Sequence, residues 1–139
     1  MLQFVGDDVH EFVRCAVLTC ASLAIMVSVQ AAPEGDIARG AALVGNRSLG
    51  LCVLCHAVPG TPPSGQGTLA PDLAGVGARW SAYQLRERLM APERFNPGSL
   101  MPSYRRSQGL SQVAAARRGQ PLFDEQQLED VVAYLGTLR

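Results

Sequence analysis

Residues 52–56 read Cys52-Val53-Leu54-Cys55-His56, a C-x-x-C-H stretch that sets the demands on the rest of the chain. Two thiols at this spacing can each add to a haem vinyl group and form a thioether. The adjacent His56 is then carried beneath the iron as its proximal ligand. Such a site needs an oxidising compartment, a second axial ligand and a fold that covers the haem. Other uses of paired cysteines fit less well. A thioredoxin-like redox pair usually sits beside a βαβ pattern, and no strand periodicity is visible near this motif. A closed zinc site needs four Cys or His ligands. A plain disulfide would leave His56 unexplained. The motif therefore points to covalent haem c, with Cys52 and Cys55 as attachment points and His56 as an iron ligand.

The 139-residue chain allows one small domain. Its hydrophobic content is 47% but its aromatic content only 6%, few aromatics for a self-sufficient core. A haem would supply the missing flat apolar body. The formal charge is zero, and all twelve basic residues are arginine, a balance that suggests no nucleic-acid partner.

Residues 1–31 read as a secretory leader and 32–139 as the single mature domain. Cys15 to Val29 is an uncharged apolar run, followed by the small-residue pattern Val29-Gln30-Ala31. The run is shorter than the roughly 20 residues a membrane helix needs, so no membrane span is expected in the mature chain. The n-region is acidic, with Asp7, Asp8 and Glu11 against Arg14, whereas secretory leaders normally begin positively charged. Export to the periplasm would meet the oxidising requirement. It would also remove Cys15, Cys20 and His10, leaving Cys52, Cys55 and His56 alone of their kinds. The mature chain would carry eleven arginines against nine acidic side chains, too little charge to steer a partner over long range.

Three helices are legible. The first spans Pro33 to Val44 with Asp36 as N-cap; Gly40 in its middle calls for a packing reason, such as close approach of another helix. The second spans Ser81 to Met90, with Ser81 and Gln84 as a capping box, Trp80 able to staple onto Leu85, and Ala91-Pro92 as the stop. The third is capped by Asp124 with Gln127 completing the box, and Phe123 can pack on Leu128. Its Leu128, Val131, Val132, Leu135 and Leu138 share one face, with Tyr134 beside them. Pro59 to Thr68 is a Pro/Gly-rich surface loop, Gly75-Val76-Gly77 a glycine-broken segment, and Phe95 to Gly109 an extended, turn-rich stretch. The order gives an all-helical, single-haem arrangement.

The sixth iron ligand must come from what remains. Without a second histidine in the mature chain, Met90 and Met101 are the candidates. Met90 ends a helix, where methionine more often fills core space. Met101 lies in the long loop with Pro102 stiffening the backbone behind it. Met101 is therefore the expected distal ligand, and His/Met ligation leaves no open coordination position. The Pro71 carbonyl could accept the ring N–H of His56, and Leu73 could lie against the haem edge, though an ordinary turn would explain this segment nearly as well. Arg79 could reach a haem propionate, but a solvated arginine is the commoner outcome.

These residues resemble a known family. Beyond a class I cytochrome c pattern, residues 50–139 are similar to SoxX, the monohaem subunit of sulfur-oxidising SoxAX complexes. CVLCH at 52–56, PDLAGVGARW at 71–80, LRERLMAPERFNPGSLMPSY at 85–104 and EDVVAYLGTL at 129–138 carry the likeness. The resemblance implies an all-α class I cytochrome c fold around one covalent haem c, held by Cys52 and Cys55 with His56 proximal and Met101 distal. It implies a periplasmic heterodimer with a SoxA-like haem subunit. That complex, an L-cysteine S-thiosulfotransferase, oxidatively joins thiosulfate to a cysteine of a SoxYZ-like carrier. Electrons would leave through this chain to a small cytochrome c. The sulfur-handling cysteine belongs to the SoxA-like subunit, so no catalytic residue is expected here. Both mature thiols being committed to haem agrees with that. The alternative is a freestanding, diffusible monohaem carrier. A subunit should show an apolar patch near the haem edge, and a diffusible carrier a ring of charge there.

Overall fold

The structure, a computed structural model, describes residues 31–139. The leader expected over residues 1–31 lies outside these but for Ala31. Among the described residues there are four α-helices: α1 (Ile37–Gly45), α2 (Val76–Arg79), α3 (Ala82–Met90) and α4 (Glu125–Thr137). Short 3-10 turns occupy Cys52–Leu54, Pro92–Arg94 and Ala115–Arg117. Among the described residues there is no strand, and the fold is all-α.

The caps explain where the helices start. The Asp36 carboxylate accepts the Arg39 N–H at 2.8 Å, so Asp36 stays extended and α1 begins at Ile37, not at Pro33. Both expected capping boxes form. Ser81 Oγ accepts from Gln84 N at 3.3 Å while Ser81 N donates to Gln84 Oε1 at 2.9 Å. Asp124 accepts from Gln127 N at 2.8 Å and its own N–H donates back at 3.0 Å. The glycine-broken segment closes into α2. Its Gly77 N–H donates to Leu138 O at 2.8 Å, tying that turn to the end of α4.

α4 is the spine. Leu128, Val131, Val132 and Leu135 are all buried, and α1, α2 and α3 each pack on this helix. Gly40 is where α1 crosses it: a methyl group there would collide with the Asp130 carbonyl and come within 2.8 Å of Tyr134 Cβ. The expected close approach is the reason for this glycine. The same crossing buries a charge. Asp130, 1% exposed, accepts from Asp36 N (2.7 Å), Arg39 Nε (2.7 Å), Arg39 Nη2 (2.9 Å) and Gln126 Nε2 (2.9 Å). These donors offset the desolvation of the carboxylate. The hydrogen bond from Arg39 outweighs burial and holds its pKa down at about 2.

The remaining core joins α3 to the loops. Leu85 and Leu89 are buried, and Phe123 stacks on Tyr104 with ring centroids 4.5 Å apart. The Arg88 guanidinium lies over Trp80 (3.8 Å) and Phe95 (4.1 Å), joining the entry of α3 to the chain that leaves it.

Candidate haem site

The C-x-x-C-H stretch is shaped by a sharp turn ahead of it. Leu51 has φ 64°, left-handed for a non-glycine residue, and Asn46 O accepts both Gly50 N (3.1 Å) and Leu51 N (3.0 Å). The chain then winds through the 3-10 turn, and His56 N donates to Cys52 O at 2.9 Å. Cys52 is buried, Cys55 is half-buried, and neither is in a disulfide. Burial pushes the Cys52 thiol pKa up, against the opposing effect of its contact with Tyr104.

The following loop packs back over the motif. Gly67 N donates to Val53 O, Ala70 N to Cys55 O and Leu73 N to Ala57 O, at 2.8, 2.9 and 3.0 Å. Gln66 holds the loop together: its amide oxygen accepts from Val58 N at 2.6 Å and its NH₂ donates to Thr61 O at 2.6 Å. The loop expected merely to cover surface thus supports the motif. It also delivers Pro71, whose carbonyl lies 2.6 Å from His56 Nδ1. A carbonyl can only accept, so Nδ1 carries the proton and Nε2 keeps its lone pair for a metal.

Cys52, Cys55, His56, Leu73 and Met101 line one cavity of about 400 Å³, closed on its inner side by Leu89 and Leu135. Met101 N donates to Ser99 Oγ at 3.2 Å, which fixes the backbone at the methionine. Met90 is not part of this wall; its sulfur accepts Arg86 Nη1 at 3.3 Å. Two thiols, an oriented imidazole and a thioether therefore converge on one apolar cavity.

The sequence comparisons agree with that geometry. The family model for cytochrome c matches residues 37–139. The chain belongs to the cytochrome c family. A crystal structure of SoxXA from P. pantotrophus contains a chain similar to this cytochrome, 32% identical, with a TM-score of 0.69. The match covers 78% of this chain and 88% of that one. The cytochrome is of the SoxX type, as its motifs suggested. No curated protein matches it.

The residues present fit a covalent haem c, as the family requires. The lining is mainly apolar, the two thiols stand at attachment spacing, and nitrogen and sulfur donors are available to iron. Arg79 is not among the lining residues; it donates to the Ala74 and Asp72 carbonyls at 2.7 and 3.3 Å. Sequence reasoning missed Tyr104, buried against Cys52 at this site. A tyrosine three residues after the loop methionine was the available signal, yet nothing local says where its hydroxyl goes.

Proposed function

We propose that this cytochrome is the electron-transfer subunit of a periplasmic, SoxXA-like complex that oxidises thiosulfate. The observation that carries the proposal is the convergence of Cys52, Cys55, His56 and Met101 on one cavity, with Pro71 orienting the imidazole. In this reading Cys52 and Cys55 would hold one haem c through thioethers, and His56 Nε2 and Met101 Sδ would be the two donors to its iron. The bound haem supplies a one-electron couple. The protein's part would be to offer those two donors and to exclude water with Leu73, Leu89 and Leu135. Its Pro71–His56 hydrogen bond holds the ligand geometry through the change of charge. Two protein donors would leave no open position on the iron, which suits electron transfer over small-molecule activation.

The subunit reading rests on the mouth of the cavity. Leu69 and Leu100 stand at that mouth, and none of the lining residues is Arg, Asp or Glu. An uncharged rim suits a lasting protein contact, whereas a diffusible carrier would present charge for steering. The partner in this proposal is a SoxA-like haem subunit, which keeps the sulfur-handling cysteine. Electrons pass onward to a small cytochrome c, and a SoxYZ-like carrier meets the complex through the partner. Affinity purification from cells grown on thiosulfate tests this. The expected result is co-purification of a second haem-bearing subunit; a solitary monomer would instead favour the diffusible carrier.

A further inference from the structure

We propose that Arg88 pairs with a propionate of the haem and, by that charge, raises the reduction potential of the site. Among the described residues three arginines are half-buried: Arg86, Arg88 and Arg105. Arg86 is paired with Glu125 and Glu129, and Arg105 with Glu125 and the Phe123 carbonyl. Arg88 differs from both. Every ion pair among the described residues uses another arginine. Its Nε–H is buried without a hydrogen-bond partner, and no other buried side-chain nitrogen or oxygen among those residues is left so.

The aromatic contacts of Arg88 do not answer that need. Its guanidinium carbon lies 3.8 Å from the centre of the Trp80 ring and 4.1 Å from that of Phe95. Stacking of this kind engages the flat face of the cation, whereas its N–H groups point outward in the plane. An arginine serving the rings alone could keep its head in water and lay only its stem on them. Here the head is drawn in and one donor is sealed off. A guanidinium does not give up its proton, so the donor calls for an acceptor, and a carboxylate matches its fork.

The haem cavity adjoins this group. Arg88 immediately precedes Leu89 and its stacking partner Phe95 immediately precedes Asn96; Leu89 and Asn96 both line the cavity. That lining is mainly apolar and includes no arginine. A haem carries two carboxylates on one edge, and carboxylates leaving water need a cation or donors in exchange. Arg79 is already engaged with the Ala74 and Asp72 carbonyls, which leaves Arg88 as the half-buried cation free for the task. Negative charge beside the iron favours its oxidised form, and a paired cation offsets that preference. This inference rests on the covalent haem c reading and not on the identity of the partner subunit.

The test uses Arg88→Gln and Arg88→Lys, each purified as the matured holoprotein. Potentiometry reads the midpoint, and the propionate bending band in the resonance Raman spectrum reads the contact. At the wild-type midpoint, the ratio of reduced to oxidised haem in Arg88→Gln is expected to fall on the order of tenfold. The propionate band should move with it. Arg88→Lys keeps the charge but not the fork, so it is expected to retain most of the potential while the band still moves. An unchanged midpoint in Arg88→Gln, or a shifted midpoint with the band in place, would overturn the proposal and leave the haem reading standing. A wild-type protein without haem absorption would overturn both. The crystal structure of the wild-type holoprotein decides the matter if neither variant accumulates. A propionate oxygen is expected within about 3 Å of an Arg88 nitrogen, and two propionates bound elsewhere would refute the pairing.

Discussion

Replacing Met101 by alanine removes one thioether sulfur from the cavity that Cys52, Cys55 and His56 also line. Thioether ligation favours the reduced iron, so the variant is expected to have a lower reduction potential. The fall should be a sizeable share of the roughly 0.8 V over which axial ligands tune haem proteins. Potentiometric titration measures it, and an unchanged potential would show that Met101 is not the ligand. The same substitution at Met90, whose sulfur already accepts Arg86, is expected to leave the potential nearly in place. Much of this site was readable beforehand. Cys52, Cys55 and His56 lie within five residues, Met101 was preferred to Met90 because it sits in a loop before Pro102, and all four preferred residues fall on the cavity wall. The Pro71 carbonyl was named as an acceptor, but spacing alone could not separate that role from an ordinary turn. Tyr104 stayed hidden because its partner Gly50 is 54 residues away and a hydroxyl leaves no local pattern.

At the scale of elements, the α1–α4 crossing is the joint that two variants probe. Gly40→Ala forces a methyl group into the Asp130 carbonyl and is expected to cost about 3 kcal/mol, since the two helices must separate. Asp130→Asn leaves Arg39 without its buried partner and is expected to cost about 2 kcal/mol at neutral pH. The pH dependence has a definite sign. The folded-state pKa of Asp130 is about 2, below the ordinary 3.8, so the unfolded chain binds this proton more tightly. The stabilisation is present in full above about pH 4 and is lost as pH falls toward about 2. Denaturant titrations across that window are therefore expected to show wild type and Asp130→Asn converging on acidification. The caps Asp36, Ser81 with Gln84, and Asp124 with Gln127 were legible because each is settled within four residues. Helix α2 was not, because Gly75 and Gly77 argue against a helix and the support comes from the Leu138 carbonyl far along the chain. The Arg39–Asp130 pair, 91 residues apart, was invisible for the same reason.

For the whole molecule, charge and apolar surface take different places. Arg106 pairs with Glu93, and Arg105 is spent on Glu125 and on the Phe123 carbonyl. The apolar rim at Leu69 and Leu100 stands at the cavity mouth. Leu100→Glu is accordingly expected to weaken the partner contact at least about tenfold, and its carboxylate beside the cavity to lower the reduction potential as well. Isothermal titration with the purified partner subunit reads the first quantity and potentiometry the second; undiminished affinity would move the interface elsewhere. The most direct check of the central claim is the intact mass of the matured protein under denaturing conditions. The account predicts the chain plus one haem, and the chain alone once Cys52 and Cys55 are both replaced by alanine. A wild-type chain without the haem mass, or an adduct that survives loss of both cysteines, would contradict it.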